Sequence, residues 1–140
     1  MNRVRISIFV IMIGLSSCIG SAHYEVLIGS YSLGAMDVME DMTLDYKNDQ
    51  GYVISIITAT VFAVGYDKDF IVVKQHPREF PNPSNKSITN YFIVPLKDKI
   101  SKSAEKNIIG PLTKDEFSRK CKEIGVTETL EFTKVFKDLE

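Results

Sequence analysis

Residues 52–75 read YVISIITATVFAVGYDKDFIVVKQ. Val53, Ile54, Ile56, Ile57, Thr58, Thr60, Val61, Phe62 and Val64 crowd the first two thirds of this stretch. Branched side chains lose rotamer freedom in a helix and pack well on a pleated surface, so the run reads as strand. It is long enough for one bent strand or two short ones. Asp67-Lys68-Asp69 interrupts it, and short acidic side chains turn back readily on their own backbone. Phe70-Ile71-Val72-Val73-Lys74-Gln75 then forms a second strand, and the pair predicts an antiparallel hairpin. Two aspartates in a loop also raise calcium. The further oxygen ligands and the glycine of an EF-hand loop are missing, and turn chemistry accounts for both residues.

Upstream, residues 24–33 read as a strand interrupted by Gly29, and residues 43–46 as a short one. Lys47-Asn48-Asp49-Gln50-Gly51 is a polar turn ending in glycine. Met36, Met39 and Met42 suit one irregular helical turn or a loop with apolar anchors. Soft-metal binding competes with core filling for these thioethers, and core filling is the stronger reading. Downstream, Pro77, Pro81 and Pro83 exclude regular structure from residues 76–89. Residues 91–96 give a further strand. Residues 97–107 are polar and lysine-rich, a solvated loop, and Ile108-Ile109 is a short apolar run before Gly110-Pro111.

One helix is spelled out. Thr113 and Glu116 have the spacing of a capping box, with Leu112 and Phe117 at the hydrophobic-staple positions around it. Asp115 and Glu116 in the first turn and Lys120 and Lys122 late in the run complement the helix dipole. Phe117, Cys121 and Ile124 share a face, and Gly125 suits the left-handed residue past the end. The helix is expected over residues 114–124. Residues 130–139 fit either a helical stripe or a strand returning to the sheet, and the strand is preferred. The expected fold class is α+β: a small antiparallel β-sheet of about five or six strands with one C-terminal-half α-helix packed on it, after an N-terminal signal helix.

The amino terminus supplies that signal. Residues 1–5 are short and basic, residues 6–15 are apolar apart from Ser7 and Gly14, and small residues follow. This is the three-part layout of an export signal, and ten apolar residues fall short of the roughly 20 needed to span a bilayer. Leu15-Ser16-Ser17-Cys18 resembles the bacterial lipobox, a branched residue and two small ones before the cysteine whose thiol takes diacylglycerol. The resemblance implies residues 1–17 as signal peptide, Cys18 as lipidated first residue, residues 18–23 as tether and residues 24–140 as a single globular domain. Gly20-Ser21-Ala22 offers a competing cleavage site that would release a soluble protein beginning at His23. Ile19, rather than aspartate, after the cysteine implies the outer membrane in a Gram-negative host, and otherwise the outer face of the cell membrane. The location expected is thus the cell envelope, with the membrane itself as partner through lipid on Cys18.

Charge narrows the partners. The chain carries 17 basic and 18 acidic residues, and Arg3 and Arg5 lie in the signal. The mature part is therefore mildly acidic, which gives no reason to expect nucleic acid. With Cys18 lipidated, Cys121 is left alone, and a lone cysteine on an apolar helix face is a small hydrophobe by default.

No catalytic, metal or cofactor constellation emerges. His23 and His76 are far apart and neither has a partner at metal-ligand spacing. There is no nucleophile elbow and no phosphate loop. Lys74, His76 and Arg78 alternate beside Tyr91 and the proline-rich loop. If Lys74 begins a sheet edge, they project together as a basic, partly aromatic patch for an envelope protein or glycan. The competing reading is a solvated strand end, the default for exposed charges.

Several stretches resemble an uncharacterised family of small bacterial lipoproteins, a domain of unknown function of similar length. They are Gly29-Ser30-Tyr31-Ser32-Leu33, Val64-Gly65-Tyr66-Asp67, Phe70-Ile71-Val72-Val73-Lys74-Gln75-His76-Pro77, Tyr91-Phe92-Ile93-Val94-Pro95 and Gly110-Pro111-Leu112-Thr113-Lys114-Asp115-Glu116-Phe117. The resemblance implies no activity and transfers no functional residue. Three functions stay open: a non-enzymatic envelope lipoprotein binding a protein or cell-wall partner, an inhibitor or immunity protein against a toxin or cell-wall hydrolase, and a hydrolase with a dispersed site. The last requires a pocket where acids or His76 converge.

Overall fold

The computed structural model describes residues 22–96, 107–127 and 129–140. The expected signal peptide at 1–17 and Cys18 lie outside the described residues, as does most of the lysine-rich loop. Strands adjacent in sequence pair antiparallel nearly throughout. β1 (His23–Ile28), β2 (Tyr31–Ala35), β3 (Thr43–Lys47) and β4 (Val53–Ile57) form a four-stranded sheet in that order. β5 (Val61–Tyr66), β6 (Phe70–Gln75), β7 (Asn90–Pro95), β8 (Ile109–Leu112) and β9 (Lys134–Val135) form a five-stranded sheet ordered β8-β7-β6-β5-β9. The helix α1 spans Lys114–Ile124. The fold is α+β with antiparallel sheets, the class the residue pattern indicates.

There are more strands than the five or six expected, and they divide into two sheets for local reasons. Gly29 adopts φ +56°, a left-handed conformation open to a residue without a Cβ, so residues 24–33 fold back as the β1–β2 hairpin with Ile28 opposite Tyr31. The run 52–66 breaks after Ile57, where the chain leaves one sheet and enters the other. Thr60 exchanges both backbone hydrogen bonds with His76, at 2.9 and 3.0 Å, which fixes the crossing point. At the β5–β6 turn, Asp67 Oδ1 accepts from the amides of Asp69 and Phe70 at 2.7 and 2.8 Å. That is the turn chemistry read from the sequence.

The core lies between the two sheets. Leu33, Leu44 and Ile57 from the first sheet meet Ile71, Val73 and Val94 from the second in one buried cluster. Met42 is fully buried and Met39, in a single 3-10 turn (Met39–Asp41), packs against the cluster, while Met36 is 79 % exposed. Two of the three methionines therefore fill the core.

The five-stranded sheet has a second covered face. Val72 and Ile93 are paired across β6 and β7 and buried, and alternation turns them away from Ile71 and Val94. Tyr91, Phe117 of α1 and Phe132 cluster over this face, with centroids 5.1 to 6.4 Å apart. α1 starts at the expected capping box: Glu116 Oε2 accepts from the Thr113 amide at 2.8 Å, and Thr113 Oγ1 accepts from the Glu116 amide. It ends with Gly125 at φ +79°. The tail then crosses Gly65 so closely that a Cβ there would stand 1.9 Å from the Glu131 carbonyl oxygen. It joins the sheet as β9, with Val135 opposite Ala63 and Lys134 opposite Val64. Lys134 reaches Glu25 of β1 and ties the edges of the two sheets together. Its hydrogen bond holds the Glu25 carboxyl below the usual carboxylate range and raises the Lys134 ammonium.

Candidate functional site

The two sheets cover each other and α1 covers the back of the second, so the outer face of the first sheet carries the open surface. In β3, Leu44 packs inward, while Thr43, Asp45 and Lys47 alternate outward. The register places Gly34 opposite Thr43 and Ser55 opposite Asp45 on the same face. These residues floor a cleft of about 730 Å³, within the range of small-ligand pockets.

Asp45 dominates the floor. It is 7 % exposed, and its Oδ1 accepts from Thr43 Oγ1 at 2.7 Å and from Ser55 Oγ at 2.8 Å. Two hydroxyl donors on one oxygen fix the carboxylate's orientation and offset part of its desolvation. Oδ2 has no hydrogen-bond partner among the described residues. Gly34 explains how that oxygen stays uncovered: a Cβ on Gly34 would stand 2.5 Å from Oδ2. The glycine is needed here for a close approach rather than for its backbone angles.

The walls are apolar and acidic. Tyr24, Met36, Val53 and Phe80 line the cleft and are 56 to 87 % exposed. Asp37 and Asp41 add carboxylates, and among the described residues no lysine or arginine lines it. Asp41 is already matched by Arg78, whose side chain is 11 % exposed and whose Nε also donates to the Asn82 carbonyl at 3.1 Å. His23 lines the cleft too, but its ring sits edge-on to Phe136 and its Nε2 lies 3.6 Å from Glu25, on the tail side of β1. Among the described residues, no group of three or more histidines, cysteines, aspartates or glutamates is arranged to hold a metal. The arrangement is chemically complementary to a cation: a fixed carboxylate with one free oxygen beside exposed apolar side chains.

The patch proposed from sequence is divided. Lys74 stands directly across from Tyr91, with its Nζ 5.8 Å from that ring centroid and 4.5 Å from Phe132, so its charge rests on aromatic faces beneath the tail. His76 is 3 % exposed, stacks on Phe62 at 4.2 Å, and hydrogen-bonds through Nδ1 to the Ile88 carbonyl at 2.7 Å. A carbonyl only accepts, so Nδ1 carries the proton. Arg78 is committed to Asp41. Lys74 and Tyr91 come together, whereas His76 and Arg78 do not join them. Cys121 is half-buried and burial pushes its thiol up, as suits a packing residue. The sequence reading passed over Asp45. Its one signal was a carboxylate in mid-strand between two inward apolar residues, Leu44 and Tyr46.

Fold and site together define a small α+β domain of two packed antiparallel sheets, closed behind by a helix and open in front over a buried carboxylate. The chain belongs to the family described as "Protein of unknown function (DUF3997)", which matches residues 28–136. No curated protein and no solved structure matches it.

Proposed function

We propose that this protein is a membrane-tethered, non-enzymatic binding module of the cell envelope, anchored by lipid on Cys18 and engaging a protein partner through the cleft on its four-stranded sheet. The observation that carries this reading is the cleft itself. An apolar-walled concavity into which a pinned carboxylate leaves one oxygen open presents exposed apolar surface of the kind that marks interaction sites. The tether gives it a setting. Residues 19–22 separate Cys18 from His23, which lines the cleft, and such a span reaches at most about 17 Å. A lipid on Cys18 therefore holds the cleft close to the bilayer. Among the described residues, no helix is long and apolar enough to cross a membrane. An inhibitor or immunity role is one form of this reading, in which the seated partner is a toxin or a cell-wall hydrolase.

The test is site-specific photo-crosslinking of the full chain in intact cells. A photoreactive amino acid replacing Tyr24 in the cleft is expected to give a discrete adduct. The same probe at Ser118, on the exposed side of α1, is expected to give none. Equal labelling from both sites, or none from Tyr24, contradicts the reading. One observation favours a second reading: the cleft gathers Asp37, Asp41 and Asp45, the convergence that a dispersed hydrolase site requires. Against it, Asp41 is matched by Arg78 and Asp45 is pinned by two hydroxyls. Hydrolysis of a cell-wall substrate by the purified protein, lost in Asp45→Asn, would favour that reading over binding.

A further inference from the structure

We propose that the cleft recognises a lysine or arginine side chain of its partner polypeptide, seated on Asp45 Oδ2 and flanked by apolar residues that pack on the walls; this deepens the binding reading above and rests on it. Three independent features select that occupant. The first is the unmatched oxygen. Asp45 is more than nine-tenths buried, its Oδ1 is taken by Thr43 and Ser55, and its Oδ2 has no donor among the described residues. Ammonium and guanidinium groups carry several N–H donors and no acceptor, which is the complement of a carboxylate oxygen. The second is the cradle. Any side chain at position 34 would fill the space beside Oδ2, since a Cβ there falls 2.5 Å from it. Glycine leaves that approach open.

The third feature is the balance of charge and apolar surface. Among the described residues the lining has aspartates at 37, 41 and 45 and no lysine or arginine, and the nearby guanidinium of Arg78 is held by Asp41. An anionic ligand meets repulsion here and no free cation. The walls decide between cationic ligands. Tyr24, Met36, Val53 and Phe80 surround the carboxylate with exposed apolar surface. A polyamine or an amino sugar brings several charges or hydroxyls to that surface and loses their hydration against it. A single cationic side chain between apolar neighbours buries its stem on the walls and delivers one charge to one oxygen.

The experiment is an NMR titration of the full chain in zwitterionic detergent micelles, reading backbone amide signals of Gly34, Thr43, Asp45 and Ser55. The probes are n-butylammonium and n-propylguanidinium, which reproduce the two side chains, with n-butanol and butyrate as neutral and anionic controls and spermidine as the polyamine arm. Saturable shifts confined to the cleft with the two cations, at least about tenfold weaker in Asp45→Asn, are expected from a charge-assisted hydrogen bond. Chemical shifts of the core residues Leu33 and Val73 report whether the Asn variant keeps the fold, and Ser118→Ala, exposed on α1 and outside the cleft, is expected to retain binding. No saturable shift with either cation, or equal shifts with butyrate, overturns the proposal. Tighter binding of spermidine than of n-butylammonium overturns the polypeptide assignment. The binding reading and this inference fail separately. A Tyr24 crosslink that persists in Asp45→Asn at full yield, to a partner segment without lysine or arginine, sinks this inference and leaves the other standing.

Discussion

Replacing Gly65 by alanine perturbs the point where the tail locks the two sheets together. The new Cβ falls 1.9 Å from the Glu131 carbonyl oxygen and 2.8 Å from its carbon. Both atoms are backbone, so no side-chain rotation relieves the clash, and the segment must withdraw by about 1 Å to reach the 3.0 Å limit of real contacts. β9 begins three residues later and pairs with β5 at only two positions, so it cannot stay in register while its approach moves. The loss includes ladder hydrogen bonds at about 1 kcal/mol each and overpacking strain of about 1–3 kcal/mol. The Lys134–Glu25 bridge adds a few tenths. A total of about 2–4 kcal/mol is expected, a large share of the 5–15 kcal/mol typical of a domain. Urea denaturation of the full chain in micelles, followed by far-ultraviolet circular dichroism, measures it as a midpoint lowered by about 1–2 M. A midpoint unchanged within about 0.2 M would show that the tail does not lie against Gly65 and would refute this account of the second sheet.

Arg78→Ala leaves Asp41 without its counter-ion and frees the Asn82 carbonyl. Asp41 is about one-third exposed, so water recovers part of the cost, and thermal unfolding should report a loss of about 1–2 kcal/mol. Thr113→Ala removes the capping box and should cost about 1 kcal/mol in the same assay, with faster amide exchange in the first turn of α1. The Glu25–Lys134 bridge has a defined pH window. Glu25 is lowered from 4.5, so its contribution is complete above that value and is lost as pH falls through the folded value. Lys134 is raised from 10.5, so the same bridge holds below that value and is lost as pH rises through the folded one. Both groups are partly exposed and solvent-screened. Glu25→Gln should therefore lower stability by only about 0.2–1 kcal/mol at neutral pH and by nothing in strong acid. A difference that persists at about pH 2 would assign the effect to packing.

Local chemistry was legible in the sequence wherever it was self-contained. The capping box at Thr113 and Glu116, the stop at Gly125 and the Asp67 turn depend on neighbours within a few residues, and α1 spans the residues expected. Pairing of strands was legible in part. Residues 52–66 allowed one bent strand or two, and only contact with His76 and Met42 settles where the chain changes sheets. The cleft was not legible, because Gly34, Asp45 and Ser55 meet through register across three strands, and no pattern along the chain encodes it. For the same reason the alternation of Lys74, His76 and Arg78 misled. It treats β6 as continuing past Gln75, whereas Thr60 takes the backbone of His76 and the ring turns onto Phe62. Gly65 sits among residues that read as ordinary strand, and its partner, Glu131, lies far along the chain.

The proposed binding role sets the domain at a bilayer, and the intact mass of the native protein extracted from membranes tests that most directly. The account predicts a chain beginning at Cys18 and carrying the added mass of a diacylglyceryl group, with or without a further acyl chain. A chain beginning at His23 with no added lipid mass would contradict it.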